Sequence, residues 1–391
     1  MKFNIVFSDQ SIPQQITKSI FLAGPSPRTK DIHDWRHDAL SLFEKNEFDG
    51  TIFIPVPKER FYGKDDSPDW TYDNQVEWEC KARNVSDIIL FWIPRDIKNG
   101  MPAFTTNIEF GEDIHSGKII YGRPDNAEKC RYLDKRIIEI KENVFNNLNE
   151  LIQYGITKLG SGSLRINGEV NVPLFIWNTE QFQSWYSSVK LNDNKLVDAK
   201  LLHHVKFSNG YLFSFILWVN IWIEKEQRFK SNEFVFSRKD ISVILPYYKE
   251  NNETYFVAVK EFRSPVRNNS GLVYELPGGS SLKPGVDHII NAQHELSEEI
   301  GLHVDDVSRF QYVDTKQLCA TLSSHVSSLF KIELTQNEFE LIKKSINENK
   351  TFGLQEDTEI IYLEIIKLKE IMKYPFDFSM IGMILGSLIN E

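Results

Sequence analysis

Glu295, Glu298 and Glu299 fall at offsets of three and four in the stretch His294-Glu295-Leu296-Ser297-Glu298-Glu299-Ile300-Gly301-Leu302. On a helix that spacing sets all three carboxylates on one face. Like charges so close repel unless a cation joins them, and hard divalent ions such as Mg²⁺ or Mn²⁺ take carboxylate oxygens. Before the helix stands Glu275-Leu276-Pro277-Gly278-Gly279. Its glycines let backbone approach a ligand, and a helix N-terminus favours phosphate. Glycine loop, helix and carboxylates together point to metal-assisted cleavage of a diphosphate. Glu295, Glu298 and Glu299 are the expected metal ligands, and Glu298 and Glu299 the expected catalytic residues.

A second group lies near the start of the chain. Phe21-Leu22-Ala23-Gly24-Pro25-Ser26-Pro27-Arg28 runs from an apolar strand into a loop with glycine, serine and arginine. Backbone N–H groups and a guanidinium fork there can hold a phosphate or a sugar hydroxyl. Thr105-Thr106-Asn107-Ile108-Glu109-Phe110-Gly111 places Glu109 near a helix start. A glutamate there complements the helix dipole, or attacks a substrate that reaches it.

The elements that must position these residues form two patterns. Ser19–Ala23, Thr51–Pro55, Asp87–Ile93 and Lys118–Tyr121 read as strands; helical stretches lie around Trp35–Glu44, Gln75–Asn84 and Asn107–Ser116. Near-continuous apolar strands separated by helices predict a doubly wound parallel sheet over residues 1–160. Chemistry in such sheets gathers at the carboxyl ends of the strands. Gly160-Ser161-Gly162-Ser163 reads as a turn or linker. The chain then turns strand-rich, with turn signals at Asn167-Gly168 and Asn209-Gly210, and helices return at 288–300, 336–348 and 379–390. Residues 161–231 are expected to supply a linker and the first strands of a second half, and 232–391 its body. The aromatic-rich stretch Phe175–Tyr186 reads as packing between domains.

The early motifs, with Gln75-Val76-Glu77-Trp78-Glu79, the strand Asp87–Pro94 and Tyr121-Gly122-Arg123-Pro124, resemble the nucleoside 2-deoxyribosyltransferase-like family over roughly residues 18–135. The resemblance implies Glu109 as a nucleophile on the anomeric carbon of a sugar, leaving a glycosyl-enzyme ester as the base departs. It further implies substrate contacts from Gly24, Pro25, Ser26, Arg28, Thr106 and Asp87, with no cofactor. Transferases of that family carry an aspartate six residues before the nucleophile, where it helps handle the base; here that residue is Ala103. Hydrolysis or a different leaving group is therefore expected rather than base exchange. Trp78 and Trp92 can stack on a base or fill the core.

Residues 275–302 resemble the Nudix hydrolases, whose box reads G-x5-E-x7-R-E-U-x-E-E-x-G-U with U aliphatic. Glu295, Leu296, Glu298, Glu299, Gly301 and Leu302 match; the first glutamate is Val286, beside Asp287, and the arginine is His294. Over about residues 232–370 the likeness is to the ADP-ribose pyrophosphatase branch, which implies an α/β/α Nudix fold. It also implies substrate contacts from Arg263, Glu275, Gly278 and Gly279, and a late-loop base at Glu356 or Glu359. Relatives of both halves form homodimers, the second by exchanging N-terminal strands, here within residues 200–240.

A net charge of −10 argues against a general nucleic-acid surface, while local arginines can still meet a small anionic nucleotide. Cys80, Cys130 and Cys319 form no CxxC pair, which suits a reducing cytoplasm and offers no zinc site. No basic-plus-apolar leader is read, and the apolar run Tyr211–Ile223 is too short to span a bilayer and reads as a buried strand. These residues support two functions. One is a bifunctional enzyme that breaks an N-glycosidic bond at Glu109 and a diphosphate, as in ADP-ribose, at the metal cluster. The other is a glycosidase, acting on NAD or another nucleotide, gated by a second half that senses a nucleotide without cleaving it, as in a stress or defence switch.

Overall fold

In the strand Ser19–Ala23, Ile20 and Leu22 enter one hydrophobic core while Phe21 and Ala23 enter another. Thr51–Ile54 and Ile88–Trp92 alternate in the same way, and every residue of the three strands is buried. Burial on both faces is what a helix-covered parallel sheet requires. The computed structural model describes residues 2–29, 31–65, 70–207, 210–281, 285–353 and 358–388. These fall into two units, Met1–Phe236 and Ser237–Glu391.

In the first unit, six parallel strands run in the order Asn4–Phe7, Thr51–Ile54, Ser19–Ala23, Ile88–Trp92, Ile119–Gly122, Val144–Phe145. From Ser19–Ala23 the chain steps outward one way, and from Ile88–Trp92 the other. The carboxyl ends of these two strands therefore flank the switch point where such sheets bind ligands.

Residues 161–231 do not form a linker or the start of the second unit. Val172, Leu174, Ile176, Phe182, Leu196, Phe215 and Leu217 share one core with Ile20, Leu22, Ile88 and Leu90. Full burial of side chains of this size contributes roughly 1.5–3 kcal/mol each, so the segment is integral to the first unit. The Gly160 turn is tied down as well. Lys18 Nζ donates to Gly160 O at 2.8 Å, and Ser163 N donates to Thr17 O at 2.9 Å. The Phe175–Tyr186 stretch thus packs inside the first unit rather than between domains. Lys195–Lys206, Leu212–Ile223 and Arg228–Arg238 form a three-stranded sheet with Leu212–Ile223 at its centre. The Asn209 turn lies partly outside the described residues.

The second unit holds a seven-stranded mixed sheet. Its main path is Leu272–Glu275, Glu253–Phe262, Ile241–Glu250, Val326–Glu333, Gln311–Gln317. Gly278–Gly279 pairs with Ile241–Glu250, and Tyr362–Lys367 with Glu253–Phe262. Helices His288–Ile300 and Gln336–Asn347 cover one face through Ala292, Leu296, Ile300, Phe339 and Ile342. Helix Phe378–Leu388 covers the other through Met380, Ile384 and Leu388. Among the described residues, no helix is long and apolar enough to cross a membrane.

Candidate active site

Helix Tyr72–Val85 presents Tyr72, Gln75, Glu79 and Arg83 at offsets of three, seven and eleven, which form one stripe down a single face. Helix Phe104–Asp113 answers with Glu109 and, one turn later, Glu112 and Asp113. The lower turns are clamped together: Arg83 donates to Asp113 at 2.5 Å and to Glu112 at 2.8 Å. One turn up, Glu79 and Glu109 line the same cavity, close enough for each to act on the other's charge. Burial, and then the charge of Glu79, push the Glu109 carboxyl up to about 7 against the pull of Arg83 and Arg36. Glu79 is raised too, chiefly by burial. Two carboxyls in this relation titrate as a pair, the charge on one opposing ionisation of the other.

The pair opens into a cavity of about 270 Å³ lined by Gly24, Ser26, Arg28, Arg60, Tyr72 and Thr106, among others. The switch-point loop forms its wall because Arg36 holds it from beneath. Arg36 is fully buried and donates to Leu22 O, Gly24 O and Pro25 O at 3.1, 2.7 and 3.4 Å, and to Ser26 Oγ at 3.3 Å. Gly24 has no room for a side chain: a Cβ there would stand 2.2 Å from the carbonyl oxygen of Trp92. Gly24, Pro25, Ser26, Arg28, Thr106 and Glu109 therefore line one cavity. Sequence reasoning gave Glu79 no role and did not single out Arg36 or Arg83. The signal for Glu79 was its spacing to Arg83, matched by that of Glu109 to Asp113.

Asp87 lies away from the cavity, contrary to the expectation of a substrate contact. It precedes the strand Ile88–Trp92 and so lies at the amino edge of the sheet, opposite the cavity. Its side chain is 1% exposed and paired with Arg165 at 2.6 Å, and it accepts from Ser19 N and Leu174 N, both at 2.9 Å. It binds the chain together rather than binding substrate. Trp78 and Trp92 are also core residues; Trp78 packs against Phe21 and Phe53 and donates to Gln10 O at 2.7 Å.

Ala103, where the transferases have aspartate, caps the Glu109 helix at φ 57° and ψ 39°. This left-handed conformation strains a residue that carries a Cβ. Ala103→Gly is therefore expected to raise stability by up to about 1 kcal/mol, read as a higher melting temperature. A lower one would show that packing of the buried methyl outweighs the strain.

In the second unit, Glu295 and Glu299 lie against the Gly278–Gly279 strand. Gly278 N donates to Glu299 at 3.0 Å, and a Cβ on Gly279 would stand 2.6 Å from Glu295 Oε1. Burial and the neighbouring Glu298 and Glu359 raise Glu295 to about 7. Glu299 is raised well above the carboxylate range by burial and then by Glu295. Glu359 thus joins this cluster, whereas Glu356 lies outside the described residues. Arg263 donates to Glu275 at 2.8 and 3.1 Å and pairs with Glu261 at 3.0 Å, so two expected substrate contacts face each other. Asp287 caps the helix by accepting from Ile289 N at 3.1 Å, His294 is exposed, and Asn291, unmarked in the sequence, braces the loop by donating to Gly279 O at 2.9 Å. Among the described residues, no three His, Cys, Asp or Glu side chains already stand in a metal-holding arrangement. The donor chemistry nevertheless suits a hard divalent ion: one buried and two half-buried carboxyls that crowd one another carry charge that a cation would relieve.

Residues 17–126 match the family described as nucleoside 2-deoxyribosyltransferase like. No curated protein matches the chain. The matched span contains the switch-point loop, Glu79 and Glu109. It suggests an enzyme and fits a nucleotide-processing, glycosyl-transfer role.

Proposed function

We propose that the first unit breaks the N-glycosidic bond of a nucleotide, with Glu109 as nucleophile and Glu79 as the acid that protonates the departing base. The observation that carries this reading is the placement of two half-buried carboxyls, Glu79 and Glu109, in one cavity at the switch point of the sheet, where burial raises both. The ionised member of the pair can bond to the anomeric carbon as the bond to the base breaks. The protonated member can deliver its proton to the base nitrogen. Water attacking the ester then returns Glu109, with Glu79 acting as base. Arg28, Arg60 and Ser26 give the cavity the groups to hold a phosphate on the sugar. Hydrolysis is favoured over base exchange because Ala103 offers no polar atom to an incoming base. Chromatography of a panel of nucleoside monophosphates and NAD after incubation with the protein tests this. If none of them loses its base, the reading fails.

For the second unit the proposal is a Nudix-like site for a nucleoside diphosphate derivative such as ADP-ribose. It is supported by the raised Glu295 and Glu299 beside the glycine strand. Glu295, Glu298 and Glu299 would hold Mg²⁺ or Mn²⁺, which would neutralise the diphosphate. His294, exposed where the family has arginine, favours binding over rapid cleavage. Carboxyls raised in the folded state add stability that is complete below the usual value of 4.5 and is lost as pH rises through about 7. Without divalent ions, the melting temperature is therefore expected to fall between pH 5 and 8. Mg²⁺ at ten times its Kd should restore about 1.4 kcal/mol at pH 8 and much less at pH 5. A shift equal at both pH values, or unchanged in Glu298→Gln and Glu299→Gln, would remove the metal from this account.

A further inference from the structure

Tyr72 and Phe104 are large aromatic side chains left in water, 74% and 65% exposed, and both line the cavity that holds Glu79 and Glu109. Each sits in the first turn of one of the two helices that supply the carboxyls. Tyr72 lies on the same stripe as Glu79, two turns away, or about 10 Å along the helix. That distance leaves room for a sugar at the carboxyls and a flat ring beyond it. Among the described residues, neither ring has a ring–ring or cation–ring partner. Both tryptophans nearby, Trp78 and Trp92, are sealed in the core.

Apart from Ser26, Arg28 and Arg60, given above to the phosphate, and the threonines Thr105 and Thr106, the polar side chains near these rings are already engaged. Gln75 is committed: its Nε2 donates to Pro55 O at 2.8 Å and to Glu79 at 2.6 Å, and its Oε1 accepts from Trp70 Nε1 at 3.0 Å. Ala103 has no polar side-chain atom to add.

We infer that Tyr72 and Phe104 are the platform on which the departing nucleobase stacks, so that the site grips bases by ring area and discriminates little among them. The inference rests on the glycosidic reading of the cavity. Stacking accepts any base because each presents a π face, and purines should bind better than pyrimidines because they cover more of the ring.

The test is calorimetry on the full chain carrying Glu109→Gln, with AMP, CMP and ribose 5-phosphate as probes. Phe104→Ala and Tyr72→Ala should each weaken AMP binding about 10-fold or more, leave ribose 5-phosphate unchanged and leave the melting temperature unchanged. Phe104→Trp should restore AMP binding. Unchanged AMP affinity in both alanine variants overturns the platform, as does an equal loss for ribose 5-phosphate. A change in sedimentation with AMP affinity intact also overturns it, by assigning the rings to contact with a second copy of the chain. If the parent protein binds ribose 5-phosphate but gains nothing from the base, the platform fails while the sugar site stands. If it binds none of the three, the glycosidic reading fails with it.

Discussion

Glu109→Gln is expected to abolish base release, with a loss on the order of 10⁴-fold or more in kcat, because an amide in that position cannot form the glycosyl ester. Glu79→Gln is expected to cost less, about 10²- to 10³-fold, the usual share of a general acid. The two variants should also differ in pH dependence. In the parent, burial and then the charge of Glu79 raise Glu109 to about 7, so the pair loses a proton as pH rises through that value. Above it both carboxyls are ionised, the leaving base has no donor, and kcat falls. Glu79→Gln removes both the donor and the repulsion that helps to raise Glu109, so the remaining carboxyl titrates lower and the decline above pH 7 disappears. The substrate offers a cleaner separation. A 7-methylguanine nucleotide carries a leaving base that is already cationic and needs no proton. It should recover most of the rate lost in Glu79→Gln and none of that lost in Glu109→Gln. Base release persisting in Glu109→Gln would sink the nucleophile assignment; equal losses for guanine and 7-methylguanine in Glu79→Gln would sink the acid.

The legibility of this site in the sequence depends on how far each relation reaches. The loop at Gly24–Arg28 could be read because a strand, a glycine and an arginine are consecutive. Glu109 could be read through its local Thr-x-x-Glu-x-Gly pattern. Glu79 acquires its meaning from Glu109, thirty positions later, and only once Arg83 and Asp113 have set two helices side by side. The matched spacings of Glu79 to Arg83 and of Glu109 to Asp113 are the one local trace of it, and they do not say which helices will meet. The division of the chain was misread because Gly160-Ser161-Gly162-Ser163 looks like a linker by composition. Residues 164–231 are nevertheless bound to the first sheet by Phe182, Phe215 and their neighbours, contacts made far along the chain. In the second unit the glycines at 278 and 279 read as room for a ligand, and the sequence gives no sign that Gly279 lies against the Glu295 carboxyl, where a Cβ would stand 2.6 Å from Oε1. The brace from Asn291 was not visible either, since an asparagine on a helix carries no distinctive signal.

Asp87 was misread, and the physical reason generates the second large expected effect. An acidic residue before an apolar strand looks the same whether it contacts substrate or not, but in a parallel sheet the residue before a strand stands at the amino edge. There Asp87 and Arg165 are 1% and 0% exposed at the side chain, and the carboxylate also receives Ser19 N, Ser19 Oγ and Leu174 N. Removing one member leaves the other charged, buried and without its counter-ion. Asp87→Ala is therefore expected to destabilise the protein by about 3–5 kcal/mol, measured by denaturant unfolding of the first unit's transition. Asp87→Asn keeps the size but not the charge and should fall in the same direction. Replacing both partners, as in Asp87→Leu with Arg165→Met, should recover much of the loss, since an apolar pair of similar volume leaves no charge stranded. The pair ties residues 165 and 174 to the first turns of two central strands, so its loss should also loosen the packing of 161–231. Glycosidic turnover measured on the fraction that remains folded should be close to that of the parent, because the cavity lies at the other end of the sheet. An Asp87→Ala variant with parental stability and a collapsed kcat would reverse this assignment and return Asp87 to the substrate.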